Sequence, residues 1–153
     1  MHSLSIVGNT LDCNLNNRGS GIAGGSGIFL GQVGAAVDGP QHTLIASNHI
    51  YIGDSESARF AVEQLGGHGR TLIVGNDFTS KQTLAGAPAV RLKATSGQVP
   101  TGMSVLNNTF EGFTAGLSLS GSAGTIKAAH FAGNTIIEET FTTVGVTCSG
   151  TIP

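Results

Sequence analysis

Five short stretches of the chain carry the same alternation of apolar and polar positions: SIVGNTL, LIASNHI, LIVGNDF, SVLNNTF and HFAGNTI. Aligned on Asn9, Asn48, Asn76, Asn108 and Asn134, they hold Ile6, Ile45, Ile73, Val105 and Phe131 three positions before the asparagine. Two positions after it stand Leu11, Ile50, Phe78, Phe110 and Ile136. The asparagines are separated by 39, 28, 32 and 26 residues. Self-similarity at such periods marks a stacked repeat and takes precedence over residue-by-residue assignment. A second phrase follows each asparagine at a variable distance: GIFLG, RFAVE, AVRLK, GLSLS and VGVTC. Its alternating apolar pairs are Ile28/Leu30, Phe60/Val62, Val90/Leu92, Leu117/Leu119 and Val144/Val146. Period two predicts strands.

Each repeat is therefore predicted to contain two short strands, an asparagine turn and loops rich in Gly, Ser and Thr. Tetratricopeptide and ankyrin repeats would need helical periodicity, and leucine-rich repeats a tighter leucine pattern. The segment 54–67 could form a short helix, with Ser55 as cap and Gly66 beyond its end. The alignment of Phe60 and Val62 with the other coils favours strand. The expected fold is all-β, a solenoid of about five parallel coils spaced about 4.8 Å apart. Equivalent residues then lie above one another. An asparagine tolerates a left-handed turn conformation, and its amide can donate to one neighbour and accept from another. The five asparagines are expected to form a ladder beside columns of stacked aliphatic side chains.

These phrases resemble the repeats of the right-handed parallel β-helix superfamily, which includes pectate lyases, polygalacturonases and bacteriophage tailspikes. The likeness runs from about residue 4 to residue 148 and is greatest to a tailspike segment. It implies a right-handed β-helix, contact with bacterial surface polysaccharide, possible cleavage of that polymer, and a homotrimer located outside the cell, in the virion tail if the chain is phage-borne. The asparagine phrase belongs to the scaffold and specifies no activity. A secreted lyase or glycoside hydrolase, and a non-catalytic adhesive solenoid, are the alternative readings.

Two surfaces follow from the alternation. Val7, Leu44, Ala46, Leu72, Val74, Leu106 and Ala132 are predicted to face outward from the first strand of each repeat. A solvated face should be polar, so this stripe is expected to be covered by a loop, another domain or an identical subunit. On the second strand, Arg59, Glu63, Arg91 and Lys93 are predicted to cluster near Asp54 and Glu56. Such a cluster could serve a glycan groove, with Glu63, Glu56 and Asp54 as acid–base groups and Arg59, Arg91 and Lys93 holding acidic sugars. It could equally be cross-strand pairing of Glu63 with Arg91 or Lys93, which stabilises a surface only slightly.

Composition narrows the partners. Of 153 residues, 24 are glycine, about twice the usual share, and only 10% are charged, with a net charge of −2. With no basic run, nucleic acid is not expected as a partner. No apolar run approaches the roughly 20 residues of a membrane helix, and the start lacks a secretion signal. Cys13 and Cys148 have no second ligand at metal spacing and are read as small fillers, so no metal or cofactor is expected. The GSGIAG phrase at 19–24 matches a dinucleotide-binding pattern, but no helix-forming sequence follows it. Asn107 and Thr109 complete a glycosylation triplet inside the asparagine phrase. His49 is expected near Asp77 of the next coil, in a solvated turn. Glu138 and Glu139 have no identifiable partner. With no Trp and one Tyr, Tyr51, aromatic platforms for sugars are scarce. Residues 1–153 are read as a single domain whose first and last coils are uncapped. It is therefore expected to be a segment of a larger β-helix or to be capped by another chain.

Overall fold

The computed structural model describes residues 3–13, 26–31, 42–53, 60–66, 69–81, 87–94, 102–121, 126, 128–137 and 144–150. Among these the protein is all-β, with fifteen strands in three parallel sheets and no helix. The first sheet stacks β1 (Ser3–Val7), β4 (His42–Ala46), β7 (Arg70–Val74), β10 (Gly102–Leu106) and β13 (Ala129–Ala132). The second stacks β2 (Thr10–Asp12), β5 (His49–Ile52), β8 (Asp77–Ser80), β11 (Thr109–Glu111) and β14 (Thr135–Ile137). The third stacks β3 (Ile28–Leu30), β6 (Val62–Leu65), β9 (Pro88–Ala94), β12 (Ala115–Gly121) and β15 (Val144–Gly150). Each coil contributes one strand to each sheet, and equivalent strands pair only with those of the coils before and after. The architecture is thus a solenoid-like stack of five coils.

Three strands per coil correct the expected two. The asparagine phrase is not one strand ending at a turn. It is two strands in different sheets, split at the turn itself. Isoleucines before the turn, such as Ile45 and Ile73, are inaccessible, and so are Ile50 and Phe78 after it. The same phrase can fill one core from two directions because the turn redirects the chain between them.

The asparagines form the expected ladder. Asn48 donates from both its backbone N–H and its Nδ2 to Asn76 Oδ1, each at 2.9 Å. Asn76 does the same to Asn108 Oδ1, at 2.9 Å each, as Asn9 does to Asn48 and Asn108 to Asn134. The remaining Nδ2 hydrogen turns back to a backbone carbonyl of the preceding coil, Ile6 for Asn48, Ile45 for Asn76 and Ile73 for Asn108. All three central carboxamides are 2% exposed or less. In that setting an unmade bond would cost far more than a made one gains.

The left-handed conformation, however, belongs to the residue before each asparagine. Gly8, Ser47, Gly75, Asn107 and Gly133 have φ of 69°, 54°, 61°, 53° and 64°. Only Gly takes that region without steric cost, and Asn and Ser are the tolerable substitutes. The ladder asparagine is therefore selected for its bonds and its predecessor for its backbone.

The third sheet corrects the expected columns in two coils. Val62 and Gln64 stand in register with Ile28 and Leu30, and with Val90 and Leu92. In the last coil Val146 and Cys148 stand opposite Leu117 and Leu119. The predicted pairs, Phe60/Val62 and Val144/Val146, are each displaced by two residues. Displacement by two preserves the inward face, so alternation alone could not detect it. Gln64 consequently occupies a core position, fully buried, where its Oε1 accepts 2.8 Å from the Thr71 hydroxyl.

Within the stack, Phe78 and Phe110 lie with centroids 5.3 Å apart and planes 13° from parallel, and Phe131 continues the column 6.0 Å from Phe110. Gly116 makes this possible, since a Cβ there would lie 2.6 Å from the Phe131 ring.

Candidate functional site

The outer faces of the three sheets differ in chemistry. On the third sheet, Glu63 stands in register with Arg91 and accepts from its Nη1 at 3.3 Å. Its other carboxylate oxygen accepts 2.9 Å from the Ser26 hydroxyl. The Arg91 guanidinium also lies 4.9 Å from the centre of the Phe60 ring, a cation–π contact. Glu63 is only 8% exposed. Two fixed partners and near-complete burial suit a structural ion pair, and acid–base work by Glu63 would require substrate to displace both. Lys93 lies two residue pairs further along, opposite Leu65. The other residues of the predicted cluster, Asp54, Glu56 and Arg59, lie outside the described residues. So do Glu138, Glu139 and the glycine-rich phrase at 19–24.

The second sheet presents rows of small polar and acidic groups. Thr10, His49, Asp77, Thr109 and Thr135 stand in register across all five coils. His49 Nδ1 lies 3.1 Å from Asp77 Oδ2, with both side chains about half exposed at 48% and 53%. Here the sequence placed two residues beside one another that are 28 apart in the chain. They sit on paired strands, immediately after the turn. The parallel row holds Asp12, Tyr51, Thr79, Glu111 and Ile137.

The first sheet carries a concavity. A groove of about 670 Å³ runs across β1, β4, β7, β10 and β13, which is to say along the axis of the stack. Such a volume is within the range of ligand sites. Its outward-facing residues fall in two rows. Ser3, His42, Arg70 and Gly102 are in register along one edge. Ser5, Leu44, Leu72, Ser104 and His130 run along the middle. A third row, Val7, Ala46, Val74, Leu106 and Ala132, lies beyond them toward the asparagine turn. Val7 is 51% exposed and Leu72 36%, so the apolar outward stripe anticipated from the alternation is present. The sequence reading missed the first row because it sought only the apolar members of the outer face.

Among the described residues, no group of three His, Cys, Asp or Glu side chains could hold a metal ion, and no helix is long and apolar enough to cross a membrane. Cys13 is half-buried and Cys148 exposed. No protein-family model, curated protein or solved structure matches the chain.

Proposed function

We propose that the chain is a segment of a right-handed parallel β-helix of the tailspike kind, contacting bacterial surface polysaccharide outside the cell as part of a homotrimer. The observation that carries this reading is the axial groove on the first sheet. It meets residues of every coil, over about 19 Å at about 4.8 Å per rung, and so offers a linear polymer a repeated set of contacts. Serine hydroxyls, imidazoles and a guanidinium supply hydrogen bonds, while Leu44 and Leu72 suit the C–H faces of sugar rings. Binding is favoured over cleavage, since no carboxylate is among the described residues that line the groove.

The apolar third row beside the groove is the surface on which subunits would pack. Retention of the purified protein on a panel of capsular and cell-wall polysaccharides tests the reading. Binding without new chain ends is expected. New reducing ends or unsaturated sugars would instead indicate a hydrolase or a lyase, and Glu63→Gln and Glu56→Gln would then show whether those carboxylates act. Failure to bind any polymer would leave a non-catalytic structural solenoid.

A further inference from the structure

We infer that the groove selects acidic polysaccharide, with Arg70 holding the carboxylates of its uronate units; this rests on the polysaccharide reading above and narrows it. The described acidic side chains are absent from the first sheet, whereas basic ones, Arg91 and Lys93, also stand on the third. The acidic side chains that the structure describes, Asp12, Glu63, Asp77 and Glu111, belong to the second and third sheets. The described outer face of the first sheet has Arg70, His42 and His130 and no Asp or Glu.

The two described arginines are also in different states. Arg91 is committed to Glu63. Arg70 is exposed and enters no ion pair among the described residues. A guanidinium offers parallel N–H donors that match both oxygens of a carboxylate. Among the described residues no carboxylate meets this one.

The surroundings of Arg70 leave room for an anion. On one side stands His42, and on the other Gly102, in register. A Cβ at Gly102 would meet nothing closer than 3.9 Å, so the strand next to Arg70 has room for an added group at the position in register with it. One step along each strand, Leu44 and Leu72 form an apolar midline flanked by Ser5 and Ser104. From edge to middle the groove therefore reads cation, then apolar surface with hydroxyls beside it. A sugar chain laid along the axis would match this order with its carboxylates turned to the Arg70 edge and its ring faces on the leucines. Charge complementarity would also admit the acidic second sheet of another copy of the chain, and the test distinguishes the two.

The full chain is passed over immobilised alginate, carboxyl-reduced alginate and dextran. Retention by alginate alone is expected, weakening as salt rises. Arg70→Gln and Gly102→Glu should each weaken it about tenfold or more, as loss of one charge-assisted pair implies, with Arg70→Lys in between. Both sites face solvent, and an unchanged circular dichroism spectrum and Tm would verify folding. Equal retention by alginate and its carboxyl-reduced form would overturn acid selection while leaving the polysaccharide reading intact. Absence of binding to every polymer would remove both. If Gly102→Glu instead converts an oligomer to monomer in sedimentation, the groove is a seam between subunits and the inference fails.

Discussion

Asn76 makes the case for the ladder one residue at a time. Its Oδ1 accepts two bonds from Asn48, and its Nδ2 donates to Asn108 and to the Ile45 carbonyl. Replacing it by alanine would leave several buried groups unpaired, at about 1–3 kcal/mol each. We expect Asn76→Ala to lower the urea-unfolding free energy by roughly 3–5 kcal/mol. Asn9→Ala should cost a fraction of that, since Asn9 is exposed and no donor among the described residues reaches its side-chain Oδ1. The residue before the asparagine offers the opposite experiment. Ser47 holds a φ of 54°, and Ser47→Gly should raise stability by up to about 1 kcal/mol in the same measurement by relieving that conformation. The ladder was legible in the sequence because one residue type recurs at every turn. The left-handed position was not, because Gly, Ser, Gly, Asn and Gly fill it in turn and only the backbone shows what they share.

Strands and their columns set the next scale. The stacked rings of Phe78, Phe110 and Phe131 form an aromatic column, and Phe110 is 1% exposed. Truncation to alanine should cost about 3–5 kcal/mol, read from the shift in urea midpoint at constant slope. Gln64 marks the opposite case. Its Nε2, like Thr43 Oγ1, is buried without a protein partner among the described residues. Replacing the pair together, Gln64→Leu with Thr71→Val, should be neutral or stabilising by about 1–2 kcal/mol, because both ends of a buried polar contact are removed at once. Gln64→Leu alone should be worse, leaving the Thr71 hydroxyl unpaired. The inward face of every strand was readable from alternation. Strand number was not read, although the odd spacing of inward residues across the turn, Ile45 to Ile50 and Ile73 to Phe78, breaks the period of two there. Nor was the register of β6, where Gln64 rather than a hydrophobe fills the inward slot.

For the molecule as a whole, the faces divide the work of assembly and recognition. If the apolar third row packs between subunits, sedimentation across a range of concentrations should give a species of three times 15.4 kDa. Val7→Glu and Val74→Glu should then shift it toward the monomer without unfolding it, each placing an unpaired charge in the contact. The predicted charge cluster was only partly readable. Glu63 and Arg91 are adjacent as the spacing allowed, but their burial and the Ser26 bond depend on residues far away in the chain. The groove could not be read at all, because a concavity across five coils comes from how strands superpose. The ladder adds a directional property to this assembly. Along the ladder, from Asn48 onward, each side-chain Oδ1 accepts from the asparagine of the coil before, through its backbone N–H and its Nδ2, and from none of the coil after. Without the Asn76 side chain, Asn48 is stranded with two donors, while Asn108 Oδ1 still receives the backbone N–H of residue 76. Damage should accordingly travel upstream: in hydrogen exchange the amide of Asn48 would lose protection before that of Asn108, as a zip fails on one side of a missing tooth.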